Sequence, residues 1–133
     1  TLEHKFGDGE NETLYVSRVL AQLSAFAKIN EIHIWIVAHP RKMENDVNRK
    51  PAVPSPYDIS GSANWFNKCD NAITVHRHKS DDDDYAGIHV HKIRFQYKNG
   101  KPNQGNPAKL KYNLSTGKYY EYIEERFKED FFR

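Results

Sequence analysis

Three groups of residues in this chain have types and spacings that could carry chemistry. The first is His39, which closes the apolar run Ile34-Trp35-Ile36-Val37-Ala38 and is followed by Pro40-Arg41-Lys42. An imidazole where a buried strand exits can meet a phosphate or a polarised water with one nitrogen while neighbours hold the other. The plain alternative is a strand-end histidine satisfied by backbone. The second group is Arg41, Lys42, Arg49 and Lys50, spread over an irregular loop from Pro40 to Pro56. Cations spaced along a loop suit successive phosphates of a polyanion, which position a strand without reading its bases; an ordinary solvated loop is the alternative. The third is Lys92 and Arg94, two apart and so expected on one strand face. Side-by-side cations need an anion or carboxylates to meet them, and a guanidinium fork suits a transferring phosphoryl group; a surface ladder paired with acids would also satisfy them.

Other candidates are weaker. His76-x-His78 and His89-x-His91 place histidines on alternate strand positions, but no carboxylate or cysteine accompanies them at ligand spacing, so they are taken as strand surface and no metal site is expected. Cys69 has only Asp70 beside it and His76 further on, too little for a nucleophile. No Gly-x-Ser-x-Gly, His-Glu-x-x-His or Gly-x-x-x-x-Gly-Lys-[Ser/Thr] stretch occurs, so the chain by itself is not expected to hydrolyse a nucleotide.

The elements that must position these groups follow from patterning. The 133 residues suit one domain. With 20 basic against 18 acidic side chains, any nucleic-acid affinity must come from local clustering of bases. A single cysteine excludes an internal disulfide and a paired-cysteine zinc knuckle. The longest apolar run is far shorter than the roughly 20 residues that span a membrane, so a soluble protein is expected, and the single cysteine suits a cytoplasmic one. The chain starts at Thr1 without a secretory signal, and this first residue is expected to be a boundary within a longer protein.

Asn11 can cap a helix over 12–29, with Leu14, Val16, Val19, Leu20, Leu23, Phe26 and Ala27 at helical spacing. Residues 32–38 are apolar on both parities apart from His33 and predict an interior parallel strand. Ser60 or Ser62 can cap a short helix to Lys68; 71–77 predicts a strand and 80–84 an acidic turn. Residues 87–97 predict a third strand, whose parity slips between Ile88/Val90 and Ile93/Phe95/Tyr97, as at a bulge or in a strand covered on both sides. Lys109–Leu114 and Lys118–Tyr122 around Ser115-Thr116-Gly117 predict a hairpin, and the tail from Ile123 a terminal helix. The expected class is α/β with a mixed sheet, its ligands lying beyond the carboxyl ends of parallel strands.

In order and spacing, Val37-Ala38-His39-Pro40-Arg41-Lys42, Ile59-Ser60-Gly61-Ser62-Ala63, Asp70-Asn71-Ala72-Ile73-Thr74-Val75 and Lys92-Ile93-Arg94-Phe95 resemble the carboxyl-terminal half of the RecA-like motor domain of hexameric replicative DNA helicases of the DnaB and Twinkle type. The resemblance covers 1–122 and leaves 123–133 as a tail. It implies a partial RecA-like P-loop NTPase core with a C-terminal β-hairpin, bacterial or phage-encoded. His39 would sense the γ-phosphate. Arg41, Lys42, Arg49 and Lys50 would meet single-stranded DNA, joined by Gly61, Ser62, Asn64 and Lys68 from the turn and helix that follow. Arg94 would be the arginine finger and Lys92 its partner, reaching the neighbouring subunit of a homo-hexamer. Thr1-Leu2-Glu3-His4 resembles the stretch after the Walker B strand, so ATP and Mg2+ would be bound mainly upstream of this chain. A primase domain or partner could accompany such a motor. Two departures stand out: 96–106 is longer and less acidic than the family's turn after the finger, and Trp65-Phe66 replaces smaller or polar residues. The alternatives are a non-catalytic nucleic-acid-binding RecA-like module and a metal-dependent hydrolase built on the paired histidines.

Overall fold

The computed structural model describes residues 9–43, 52–59, 63–79, 84–103 and 105–122. Helix α1 (Glu12–Ile29) begins where expected: the Asn11 side chain accepts from the Leu14 N–H at 2.9 Å, satisfying one of the orphan donors of the first turn. Its stripe buries Val16 and Leu20, the two buried hydrophobic side chains among the described residues. Against it lies the short helix α2 (Asn64–Lys68), tied by the Asn64 amide donating to the Thr13 carbonyl at 3.3 Å. Ser60 and Ser62, the expected caps of α2, lie outside the described residues; Ala63 occupies the position before it.

The sheet is a four-stranded meander, β1 (Asn71–Lys79), β2 (Asp84–Ile93), β3 (Ala108–Asn113) and β4 (Lys118–Glu121), every neighbouring pair antiparallel. The expected bulge is present. Ala72 pairs with Lys92 and Ile73 with Val90, so β2 carries one extra residue, His91, at that step. The hairpin β3–β4 turns through Gly117 at φ 67, with the Asn113 carboxamide accepting from the Ser115 and Thr116 N–H groups. Before the start of β3, Asn103 acts as a strand substitute: its side chain accepts from Val90 N–H and donates to the Ile88 carbonyl, both at 2.8 Å.

Three expectations change. The described sheet is antiparallel rather than mixed. Residues 32–38 form no strand, and Trp35 and Val37 are 74% and 88% exposed; an apolar run becomes an interior parallel strand only where strands flank it, and the meander offers none. The strand-end position of His39 therefore lacks its strand. The third strand also ends at Ile93, because residues 96–99 turn into a short helix, α3 (Gln96–Asn99), closed by Gly100 at φ 88. The acidic turn, apart from Asp84, and the tail from Ile123 lie outside the described residues.

Candidate functional site

Although the strand before it is absent, the basic loop has a defined base. Pro40 and Ile59 form an antiparallel bridge, and Arg41 N–H donates to the Asp58 carbonyl at 2.7 Å, so the two ends of the loop are pinned together. Between them Pro56–Asp58 makes one 3-10 turn. Asp58 is fixed by the Ser55 N–H and hydroxyl, both at 2.8 Å; these two bonds, with Arg41 contributing less, hold its carboxyl below the usual aspartate value. The Arg41 guanidinium is 3.5 Å from Asp58 and 69% exposed, a loose pair that leaves most of the cation facing water. His39 and Lys42 are exposed beside it. Arg49, Lys50, Gly61 and Ser62 lie outside the described residues. Asn64 and Lys68 are on α2, with Asn64 turned to α1 as given above.

The second cluster gathers where α2 meets β1. Lys92 donates to the carbonyls of Phe66 and Asn67, at 2.7 and 3.2 Å, and its ammonium lies 5.0 Å from the Phe66 ring centroid. It satisfies carbonyls at the end of α2 that have no helical partner. Arg94 follows the last residue of β2. Its N–H donates to the Asp70 carbonyl at 2.9 Å, and its side chain, 41% exposed, pairs through the guanidinium with the Asp70 carboxylate. Arg94 lies in the turn after β2, so strand alternation does not set its direction, and the partners of the two cations differ in kind: Lys92 holds backbone, whereas Arg94 holds one exposed carboxylate.

A ring contact joins these clusters. Tyr57, next to Asp58, lies 4.6 Å from Phe66 between centroids, and Phe66 underlies Lys92. Sequence reading missed Asp58 and Tyr57. The Ser55-Pro-Tyr-Asp spacing carried a signal for Asp58, a capping box, but nothing local marked Tyr57 as a bridge to α2.

On one face of β1 and β2 lie Thr74, His76, His78, Tyr85, Gly87, His89 and His91, by register and contact. The Thr74 hydroxyl donates to the Pro54 carbonyl at 2.9 Å, linking this face to the stretch before the 3-10 turn, and lies 3.0 Å from His91 Nε2. Partial burial moves His76, His89 and His91 below the ordinary histidine value of 6.5, with neighbouring histidines adding to the effect at His89. The sign follows: above about pH 6.5 these rings are neutral folded or unfolded, and below it the unfolded chain takes protons that the folded one resists. Denaturation midpoints in chelator-treated buffer are therefore expected to be flat above about pH 6.5 and to fall as the pH drops below it. A midpoint that rises on acidification in that window would contradict the burial of these rings.

No family profile matches the chain. It is 37% identical over 121 residues to a Twinkle homolog protein, chloroplastic/mitochondrial, of Arabidopsis thaliana. That alignment covers 89% of this chain, which spans only 16% of the relative's length. No helix among the described residues is long and apolar enough to cross a membrane. The resemblance to the DnaB and Twinkle type of helicase, expected from the order of the motifs, is shown by this match along most of the chain.

Proposed function

We propose that the chain is the carboxyl-terminal half of the RecA-like motor domain of an ATP-dependent replicative DNA helicase, residues 1–122 forming the motor part and 123–133 a tail. In this reading His39 senses the γ-phosphate. Arg41, Lys42, Arg49 and Lys50, with Gly61, Ser62, Asn64 and Lys68, grip single-stranded DNA. Arg94, with Lys92 beside it, completes the ATP site of the next subunit in a homo-hexamer, whose ATP and Mg2+ are held mainly by residues upstream. The chain by itself is inactive.

The state of Arg94 carries this reading. A trans-acting finger must leave its own subunit cheaply, and an exposed ion pair of the Arg94–Asp70 kind is worth about 0–1 kcal/mol. Stabilising a phosphoryl transition state is worth several times that. The Tyr57–Phe66–Lys92 contact gives a packed route between the loop base and the strand that delivers Arg94, as coupling of hydrolysis to movement needs. Trp35, Val37, Ile73 and Val75 are exposed in a way that suits burial by the rest of a motor core. The test is ATP turnover by the full-length protein with and without single-stranded DNA. Turnover stimulated by the strand is expected; strand binding with no turnover would favour the non-catalytic module instead.

A further inference from the structure

We propose that His78 and His89, leaning together over Gly87 on the β1–β2 face, form a binding site for a divalent transition-metal ion of the zinc class, which is separate from the motor function proposed above.

Cross-strand register creates the pair. His78 lies opposite Tyr85, His76 opposite Gly87, and Thr74 opposite His89, so the three imidazoles surround the one position on this face without a side chain. A Cβ at Gly87 would stand 2.9 Å from His89 Nε2 and 3.1 Å from His78 Nε2. The glycine thus leaves room into which both ring nitrogens project, and those nitrogens are 3.2 Å apart. Two imidazole nitrogens at about 2.0–2.1 Å from a tetrahedral ion are separated by about 3.3 Å. The pair already has the spacing of two ligands on one zinc ion, and imidazole suits that class of metal over calcium or magnesium.

The remaining positions on the ion need other donors. Among the described residues no three His, Cys, Asp or Glu side chains stand as a finished ligand set. Water supplies the rest of the shell, and His76, whose ring centroid is 4.6 Å from that of His78 and 6.5 Å from that of His89, can join after a rotamer change. Lys109, opposite Gly87 on β3, is the cation that would oppose binding, but its ammonium is drawn over the rings of Tyr85 and Tyr122 at 4.9 and 5.5 Å.

The test is equilibrium dialysis of the metal-freed chain against micromolar Zn2+. Retention of one equivalent is expected. His78→Gln and His89→Gln should each weaken it by about tenfold or more, while His33→Gln, exposed and outside every strand, should not. Carbethoxylation of the unaltered chain, mapped by mass spectrometry, gives a readout that needs no variant: zinc should shield His78 and His89 and leave His33 reactive. No retained zinc, or retention and reactivity indifferent to these two histidines, would overturn the site and show a pair that only shares a proton.

Discussion

Arg94→Ala in the full-length protein is expected to lower ATP turnover about 10³-fold or more while leaving nucleotide binding nearly unchanged, because a finger supplied in trans acts on the charge of the transition state rather than on ground-state affinity. The magnitudes make this a sharp expectation. A 10³–10⁵-fold effect corresponds to about 4–7 kcal/mol, whereas releasing Arg94 from its exposed pair with Asp70 costs about 1 kcal/mol at most. The same substitution should therefore leave the denaturation midpoint almost where it was. Arg94→Lys, which keeps the charge but loses the planar fork, should remain strongly impaired. Lys92 supplies the contrast. Its ammonium serves the Phe66 and Asn67 carbonyls, and Lys92→Ala removes both bonds, leaving the Phe66 carbonyl to the Cys69 thiol, at a cost of about 0.5–1.5 kcal/mol for each bond. Loss of turnover in that variant would arrive together with loss of stability, so only Arg94 separates chemistry from folding. Turnover retained by Arg94→Ala in a protein that still hydrolyses ATP would remove the finger assignment.

What could be read from the sequence was local. The Asn11 cap and the spacing of Val16 and Leu20 set α1 to the residue, because helix initiation and one buried stripe are encoded within a few turns. The hairpin at Asn113–Lys118 and the bulge at His91 were legible for the same reason: turn chemistry and strand parity are properties of short stretches. Residues 32–38 were not, since an apolar run states that it needs cover without stating whether strands will flank it. The site divided along the same line. Types and spacing pointed to Arg94 and the basic loop, but the partners Asp70 and Asp58, the Tyr57–Phe66 contact and the convergence of His78 with His89 arise from register between distant segments. Gly87 illustrates this best: as a letter it is a weak strand residue, and only the pairing of β1 with β2 turns it into the gap that two imidazoles share.

Removing Lys42, Arg49 and Lys50 together, as alanines in the full-length protein, is expected to weaken single-stranded DNA binding and to flatten its dependence on salt. Each phosphate contact on a single strand contributes about 0.7 to the slope of log affinity against log salt, so losing three should reduce that slope by about 2. The choice of residues follows from the loop's base. Arg41 is spared because its guanidinium also pairs with Asp58 at the loop's base, so its replacement would unpair that carboxylate as well as remove a cation. Without Arg41 in the set, a changed slope reports lost phosphate contacts and not an unpaired carboxylate. The loss should also be uniform across strand sequences, since backbone contacts position a polymer and do not read it. Asp58→Asn gives the opposing arm: it frees the Arg41 guanidinium while Ser55 keeps a hydrogen-bonding partner, and binding should tighten at low salt more than at high. A triple variant whose salt slope matches the unaltered protein would place these bases away from the strand, and the loop would then be a solvated connection closed at Pro40 and Ile59 for reasons of fold alone.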